Sequence, residues 1–275
     1  MKTLIHYSKR PYVYALILTI GMAALYSIVH TSSPRYFFLA ALALYLLLIF
    51  ELYSTKYYST SFDDQFHLES KEVKHRRSQW VHHFVMPTLL YLSITSFLFV
   101  NAQLDMFVLV ILTSLLLFSI LFVNIKAYYE RKYKIEHNTA NVYDVISITT
   151  LFMSTYSILV GVSITFANYV IAGLLIAAIL LIMGYLTLSR YHLINNKSAF
   201  ALFFLVGFYI NLFLILLNFQ INVLSYTVIT TFIYYYYTAI INHVVDKTIS
   251  LKVFTEYLAV FSLIFVIILL GNYWP

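Results

Sequence analysis

Long apolar segments alternate with short polar ones along the whole chain. Stretches such as residues 37–50 are apolar without the strict alternation of a membrane β-strand. Most of them approach the ~20 residues that an α-helix needs to cross ~30 Å of hydrocarbon. The pattern predicts an all-α, polytopic integral membrane protein with about nine transmembrane helices, near residues 12–29, 36–53, 84–100, 106–125, two within 142–189 with a boundary near Asn168, 199–217, 223–241 and 254–271.

Basic residues occupy every second gap between these segments. All but Arg35 of the 17 Lys and Arg lie in one alternating set of gaps. All but Asp105 of the 11 Asp and Glu, and all but His30 of the nine His, lie in or next to the same gaps. Cytoplasmic loops of membrane proteins carry an excess of Lys and Arg. We therefore expect a multi-pass protein of the cell membrane, with a cytoplasmic N-terminus, an external C-terminus and its polar chemistry on the cytoplasmic face.

Composition supports a membrane protein and narrows its partners. Of the 275 residues, 62% are hydrophobic and 10% are charged, against about 25% charged in soluble domains. The net charge of +6 is explained by basic residues beside the anionic inner leaflet, so membrane lipids are expected partners and nucleic acid is not. The chain has no Cys, which excludes disulfides and thiolate metal sites. No internal repeat or linker divides residues 1–275, which are expected to form a single transmembrane domain.

The longest polar stretch, residues 56–83, is the predicted cytoplasmic loop between the second and third spans. Apolar residues four and seven positions apart fall on one face of a helix there, with Lys and Arg between them. The pattern predicts an amphipathic interfacial helix that leads into the third span, and a solvated loop is the alternative. The residues of the predicted apolar face are Phe62, Phe66, Val73, Trp80 and Phe84.

Imidazole and carboxylate groups at the cytoplasmic ends of the spans are the candidates for a functional site. His243 and Asp246 fall on one helical face, where a carboxylate can orient an imidazole; a polar helix end with local charge pairing is the alternative. Glu72 and His75 have the Glu-x-x-His spacing of di-iron bundles, but the second motif that such bundles need is absent. No metal or cofactor is therefore expected. The linear sequence leaves open whether six candidates converge: His82, His83, Asp144, His192, His243 and Asp246.

Several residues inside the spans are expected to join helices. Gly173 and Ala177 have the spacing of small residues at close helix contacts. Asn211, Thr230 and Thr231 are expected to form hydrogen bonds between helices. No Asp, Glu, Lys, Arg or His lies in the middle of a span, which disfavours an ion-coupled transporter.

Three functional hypotheses remain open from the sequence. The predicted one is a non-enzymatic subunit, assembly factor or scaffold component that binds a protein partner through its cytoplasmic loops. The second is a lipid- or isoprenoid-processing enzyme, because nine crossings with a cytoplasmic N-terminus resemble the topology of the intramembrane prenyltransferases. Their Asp-rich motifs follow spans two and six; here the first gap offers Asp63 and Asp64 with Glu69, and the second contains no acid. The third hypothesis is a transporter of a neutral or lipidic substrate.

Overall fold

The described part of the chain is helical. The computed structural model of the protein describes residues 2–31, 34–65, 70–101, 103–129, 138–165, 168–190, 196–217, 222–245, 247–248 and 250–273. These residues form nine α-helices and no strand, which confirms the all-α prediction. The helices are α1 (Lys2–Thr31), α2 (Pro34–Gln65), α3 (Ser70–Val100), α4 (Leu104–Tyr129), α5 (Asn138–Thr165), α6 (Tyr169–Arg190), α7 (Asn196–Leu217), α8 (Val223–Val245) and α9 (Leu251–Tyr273).

Eight of the helices in the described ranges are long and apolar enough to cross a membrane. The exception is α8, because its Tyr and Thr residues lower its mean hydropathy. Many of its side chains are nevertheless buried, among them Tyr226, Ile229, Ile233 and Tyr234. A helix that faces protein on several sides needs less hydropathy than one that faces lipid. These eight apolar helices identify the chain as a multi-pass membrane protein. The number of nine crossings remains a prediction.

Local sequence signals set several helix boundaries. Pro34 begins α2, where its fixed φ suits the first helical position. Asn168 and Asn222 precede α6 and α8. Their side-chain oxygens accept hydrogen bonds from the backbone N–H of Val170 at 2.8 Å and of Ser225 at 2.7 Å, which satisfies donors that a helix start leaves unpaired. The boundary that the sequence indicated at Asn168 is confirmed.

Contacts between Cα atoms divide the chain into two compact units, Met1–Ile146 and Ser147–Pro275. In the first unit α1 packs on α2, α3 and α4, and α2 also packs on α3 and α4. In the second unit α6 packs on α7 and α8, and α8 also packs on α7 and α9. The expectation of a single domain stays a prediction.

Aromatic rings join neighbouring helices of the first unit near their ends. Tyr26 near the end of α1 stacks on Phe107 near the start of α4, with ring centroids 4.1 Å apart. Phe37 near the start of α2 lies 5.0 Å from Phe99 near the end of α3. Each pair joins the end of one helix to the start of another, so these neighbours run antiparallel.

A close glycine contact and paired hydroxyl groups hold the helices of the second unit. A Cβ placed on Gly173 of α6 would lie 2.6 Å from Phe213 Cε1 of α7, so the ring occupies the space that glycine leaves. The close contact predicted at Gly173 is confirmed. Thr187 Oγ1 of α6 and the Tyr234 hydroxyl of α8 lie 3.0 Å apart, and both residues are fully buried.

The polar residues predicted to hydrogen-bond between helices bond their own helix instead. Asn211 is exposed, and its Nδ2 donates to the carbonyl oxygen of Gly207 at 2.8 Å. Thr230 and Thr231 likewise donate to carbonyl groups one turn earlier in α8. The prediction for these three side chains is wrong. A carbonyl one turn earlier can satisfy a hydroxyl or amide without a second helix, so the local bond competes successfully with a bond between helices.

The predicted interfacial helix falls on the extensions of two long helices, α2 and α3, and on residues between them that lie outside the described ranges. α2 has 32 residues and α3 has 31, so each is roughly 45–50 Å long and exceeds the ~30 Å of hydrocarbon. No Pro or Gly lies in residues 55–82 to end either helix at its span. Phe62 belongs to α2, Val73, Trp80 and Phe84 belong to α3, and Phe66 lies outside the described residues. A single interfacial helix stays a prediction.

Candidate functional sites at the helix ends

Arg10 of α1 and Glu51 of α2 form an ion pair. Arg10 Nη2 donates to Glu51 Oε2 at 2.8 Å, and Arg10 Nε donates to the same oxygen at 3.2 Å. The Glu51 side chain is 5% exposed and the Arg10 side chain is 25% exposed. Removing a carboxylate from water at membrane depth is costly unless a cation accompanies it. The guanidinium of Arg10 supplies that compensation.

An aromatic ring holds the guanidinium of Arg10 from a second direction. Arg10 Cζ lies 5.4 Å from the centroid of the Tyr14 ring, one turn further along α1. A cation over the face of a tyrosine is attracted by the negative potential of the ring. Glu51 and Tyr14 together fix the position of Arg10 at the start of the candidate span Arg10–Val29.

A small cavity lies beside the ion pair, where α1, α2 and α4 meet. Its volume is about 10 Å³, room for one water-sized group. Arg10, Glu51 and Lys126 contribute the charged groups of its wall. The apolar part of the wall consists of Pro11, Leu52, Phe122 and Ile125. Charged side chains of three helices therefore line one small space beside the ion pair.

Sequence reasoning missed this site. Neither Arg10 nor Glu51 is among the six candidate residues that the sequence indicated. The signal was nevertheless present, because Glu51 is the first acidic residue of the chain and is preceded by an apolar run. A buried carboxylate at that depth needs a cation at the same depth, and Arg10 stands at the matching end of the first span.

His83, at the start of the candidate span of α3, is buried against α5. His83 Nδ1 and the Tyr143 hydroxyl lie 3.1 Å apart. His83, Tyr143 and the adjacent Asp144 are all buried. A hydroxyl can donate to an imidazole nitrogen or accept from it, so this contact orients the ring in either tautomer. An oriented imidazole can act as an acid or a base, but it also joins two helices.

Two backbone hydrogen bonds cap the end of α8. The N–H of Thr248 donates to the carbonyl of His243 at 3.0 Å, and the N–H of Lys247 donates to the carbonyl of Val244 at 3.2 Å. These two bonds form a Schellman cap at the end of α8. Lys247 has a φ of 57°, the left-handed conformation that this cap requires and that glycine adopts most readily.

The cap places Thr248 beside the imidazole of His243. His243 Nδ1 lies 2.8 Å from Thr248 Oγ1, and His243 Nε2 lies 3.4 Å from the hydroxyl of Tyr257 in α9. The Tyr257 ring also meets the ring of Tyr236 edge-on at 5.9 Å. Both imidazole nitrogens therefore have hydroxyl partners, and His243 joins the end of α8 to the first turns of α9.

The structure describes the side-chain environment of three of the six predicted site residues. His83 and Asp144 lie in the first unit, and His243 lies in the second. His82 is placed within α3, next to His83. His192 and Asp246 lie outside the described residues. Convergence of the six residues on one site stays a hypothesis.

The described residues were compared with the requirements of a metal site, and the chain was compared with known proteins. Over the ranges that the structure describes, no three His, Cys, Asp or Glu side chains come close enough to hold a metal ion. Comparison of the chain with models of protein families, with curated proteins and with solved structures found no match. The fold and the helix ends define the chain as a multi-pass helical membrane protein.

Proposed function

We propose that the protein is a multi-pass component of the cell membrane without catalytic activity of its own, a subunit, assembly factor or scaffold that binds a partner protein through its cytoplasmic face. The distribution of charge supports this proposal. All but Arg35 of the 17 Lys and Arg lie in alternating gaps, which is typical of loops on the cytoplasmic side. The face that carries them is charged enough to recognise a partner by electrostatic complementarity.

The observation that carries the proposal is the use of buried polar groups in both units. Glu51 forms an ion pair with Arg10 in the first unit. Thr187 and Tyr234 lie within hydrogen-bond distance of each other in the second. Such contacts join helices within the membrane and stabilise a packed bundle. This is the expected use of polar groups in a structural component.

The partner surface that we propose is formed by the extensions of α2 and α3. Residues 55–65 and 70–82 are helical beyond the candidate spans Pro34–Ser54 and His83–Val100. Because these extensions are not needed to cross the hydrocarbon, they are free to serve recognition outside it. Their sequence contains both acidic and basic residues.

Purification from the native membrane tests the proposal. The tagged full chain is crosslinked in its membrane, purified and quantified together with the proteins bound to it. We expect one partner at a fixed stoichiometry, lost when residues 56–82 are replaced by a Gly/Ser linker that leaves both spans intact. The control is Lys252→Ala with Glu256→Ala, which removes an exposed ion pair of α9 and should retain the partner. A partner that persists after the replacement, or none at fixed stoichiometry, refutes the proposal.

The same preparations distinguish a component from an enzyme of prenyl transfer. Asp63 and Asp64 stand at the end of α2, in the gap where such enzymes hold Mg²⁺ and diphosphate. Binding of Mg²⁺ with a prenyl diphosphate is measured for the wild-type chain and for Asp63→Asn with Asp64→Asn. Binding that depends on these two residues would refute a non-catalytic component, and we expect none.

A further inference from the structure

We propose that α7 binds the α7 helix of a second copy of this chain inside the membrane, through an exposed stripe that contains the amide of Asn211. This self-association does not depend on the partner protein proposed for the cytoplasmic face. Three observations support it. The amide has hydrogen-bonding groups that its own helix does not use, the side chains in line with it are exposed, and Gly207 leaves open space one turn away.

Asn211 places an amide on an exposed face of the candidate span Ala199–Leu216. Its Nδ2 donates one hydrogen to the carbonyl oxygen of Gly207 at 2.8 Å. A side-chain amide also has a second N–H and an acceptor oxygen, and these have no partner among the described residues. Lipid tails offer no hydrogen bond, and an unsatisfied polar group in hydrocarbon is costly. The amide therefore favours a neighbour that both donates and accepts at this depth.

A second copy of the chain supplies the matching amide by symmetry. Two copies of one sequence insert in the same orientation, because the same basic gaps direct both of them. Their α7 helices are then parallel, and Asn211 faces the same residue of the other copy across a two-fold axis. Each amide donates its second N–H to the Oδ1 of the other. A single Asn in an apolar seam fixes the register of a parallel helix pair in this way.

The side chains in line with Asn211 form one exposed stripe along α7. Gaps of four and three residues separate them, which is the spacing of the positions that meet in a pair of helices. Phe200 and Phe204 are 73% and 68% exposed, although α7 packs on α6 and α8 through its buried side chains. We define the α7 stripe as Phe200, Phe204, Gly207, Asn211 and Leu214.

Gly207 allows two copies of α7 to approach closely beside the amides. An added Cβ at Gly207 would meet nothing within 4 Å, so the missing side chain makes room for no contact within one copy. Glycine is nevertheless a poorer helix former than alanine. Small residues at helix contacts in membranes let two backbones come close together. The open space at Gly207 and the amide of Asn211 thus lie on the same face, where a second α7 helix would use both.

Single cysteines test the contact, because the chain has none of its own. The purified full chain with Gly207→Cys is reconstituted into liposomes and oxidised. The matched control is Ala259→Cys on α9. Ala259 is small and exposed, and it stands as many residues before the end of the candidate span Leu251–Ile268 as Gly207 does before the end of its own. We expect a disulfide-linked dimer as the main product of Gly207→Cys and monomer from Ala259→Cys. Equal crosslinking of the two, or monomeric Gly207→Cys, would overturn the proposal.

Energy transfer between labelled copies in liposomes tests the role of the amide. Asn211→Leu should weaken the dimer by about three- to tenfold, because it removes the hydrogen bonds between the two copies. Asn211→Gln should remain within about twofold of the wild type, because it keeps a donor and an acceptor. Unchanged dimerisation by Asn211→Leu, or equal weakening in both variants, would contradict the paired amides. Monomeric Asn211→Leu should unfold at the wild-type temperature, since Asn211 is exposed and bonds its own helix. If that temperature falls, the dimerisation of Asn211→Gln decides the outcome.

Discussion

Gly173 of α6 lies directly against the ring of Phe213 of α7, and a Cβ at Gly173 would stand 2.6 Å from Cε1 and 2.8 Å from Cδ1 of that ring. The ring has little room to move. Tyr226 of α8 meets it edge-on with centroids 5.1 Å apart, and Tyr209 lies 6.0 Å away on its own helix. Gly173 therefore allows α6 and α7 to approach closely at this ring.

Gly173→Ala should destabilise the protein by about 1–3 kcal/mol, because the added methyl group overpacks a contact whose ring is held on other sides. The matched control is Gly207→Ala on α7, where an added Cβ meets nothing within 4 Å. That variant should be neutral or slightly stabilising, since Ala is the better helix former. Free energies of unfolding from SDS titration in mixed micelles compare the two. Equal stabilities would show that the ring yields at no cost.

Glu51→Gln should lower the free energy of unfolding by about 1–3 kcal/mol, because it leaves the partly buried guanidinium of Arg10 without its counter-charge. Glu256→Gln is the control. Glu256 pairs with Lys252 at 3.9 Å, and both side chains are largely exposed. Such an exposed pair contributes at most ~0.5 kcal/mol to the free energy of unfolding. Its loss should therefore be barely measurable in the same SDS titration. A small effect at Glu51 would indicate that water, rather than Arg10, stabilises the carboxylate.

Tyr234→Phe should cost about 0.5–1 kcal/mol, because it removes the hydroxyl that lies 3.0 Å from Thr187 Oγ1. The cost is limited because Thr187 also donates to the carbonyl of Met183. Tyr237→Phe is the comparison, since its hydroxyl is buried without a hydrogen-bond partner among the described residues. That variant should match or exceed the wild-type stability. A reversed order of the two variants in SDS titration would contradict the hydrogen bond between α6 and α8.

Lys247→Gly should raise the stability of the turn between α8 and α9 by about 0.5–1 kcal/mol, because glycine adopts the positive φ of this position without steric cost. Lys247→Ala distinguishes the effect of the backbone conformation from the effect of the charge. Ala keeps the steric strain of the positive φ and removes the ammonium group. It should remain within ~0.5 kcal/mol of the wild type. Thermal unfolding in detergent measures both variants. If the two variants changed the stability equally, the loss of the charge, rather than the backbone conformation, would explain the effect.

Single cysteines can report the orientation, because the chain has none of its own. A cysteine at Ser70 or Asn138 should react with an impermeant maleimide only from the cytoplasmic side, and one at Ser32 or Gln220 only from outside. Labelling of intact cells and of inverted vesicles measures the two sides. Reaction of Ser70→Cys in intact cells would reverse the predicted orientation and remove the cytoplasmic face from the proposed function.

The helices could be predicted because the signals that define them are local. The third span was expected over residues 84–100, and the apolar segment of α3 that is long enough to cross a membrane is His83–Val100. Asn168 was expected to separate two spans, and its side chain caps α6. An amphipathic helix was predicted over residues 62–84, and residues 62–65 and 70–84 are helical in the structure. Amphipathic periodicity shows which residues share a face, and it does not show where a helix ends.

The sequence by itself determined that the chain is helical and multi-pass, because an apolar segment in lipid must satisfy its backbone hydrogen bonds within its own helix. Only the tertiary structure decided that Arg10 meets Glu51 and that Gly173 meets Phe213. Lipid tails are as apolar as the side chains of a packed helix, so hydropathy does not distinguish a face that meets lipid from one that meets another helix. Contacts between distant residues follow from the fit of whole helix surfaces, which no local pattern records.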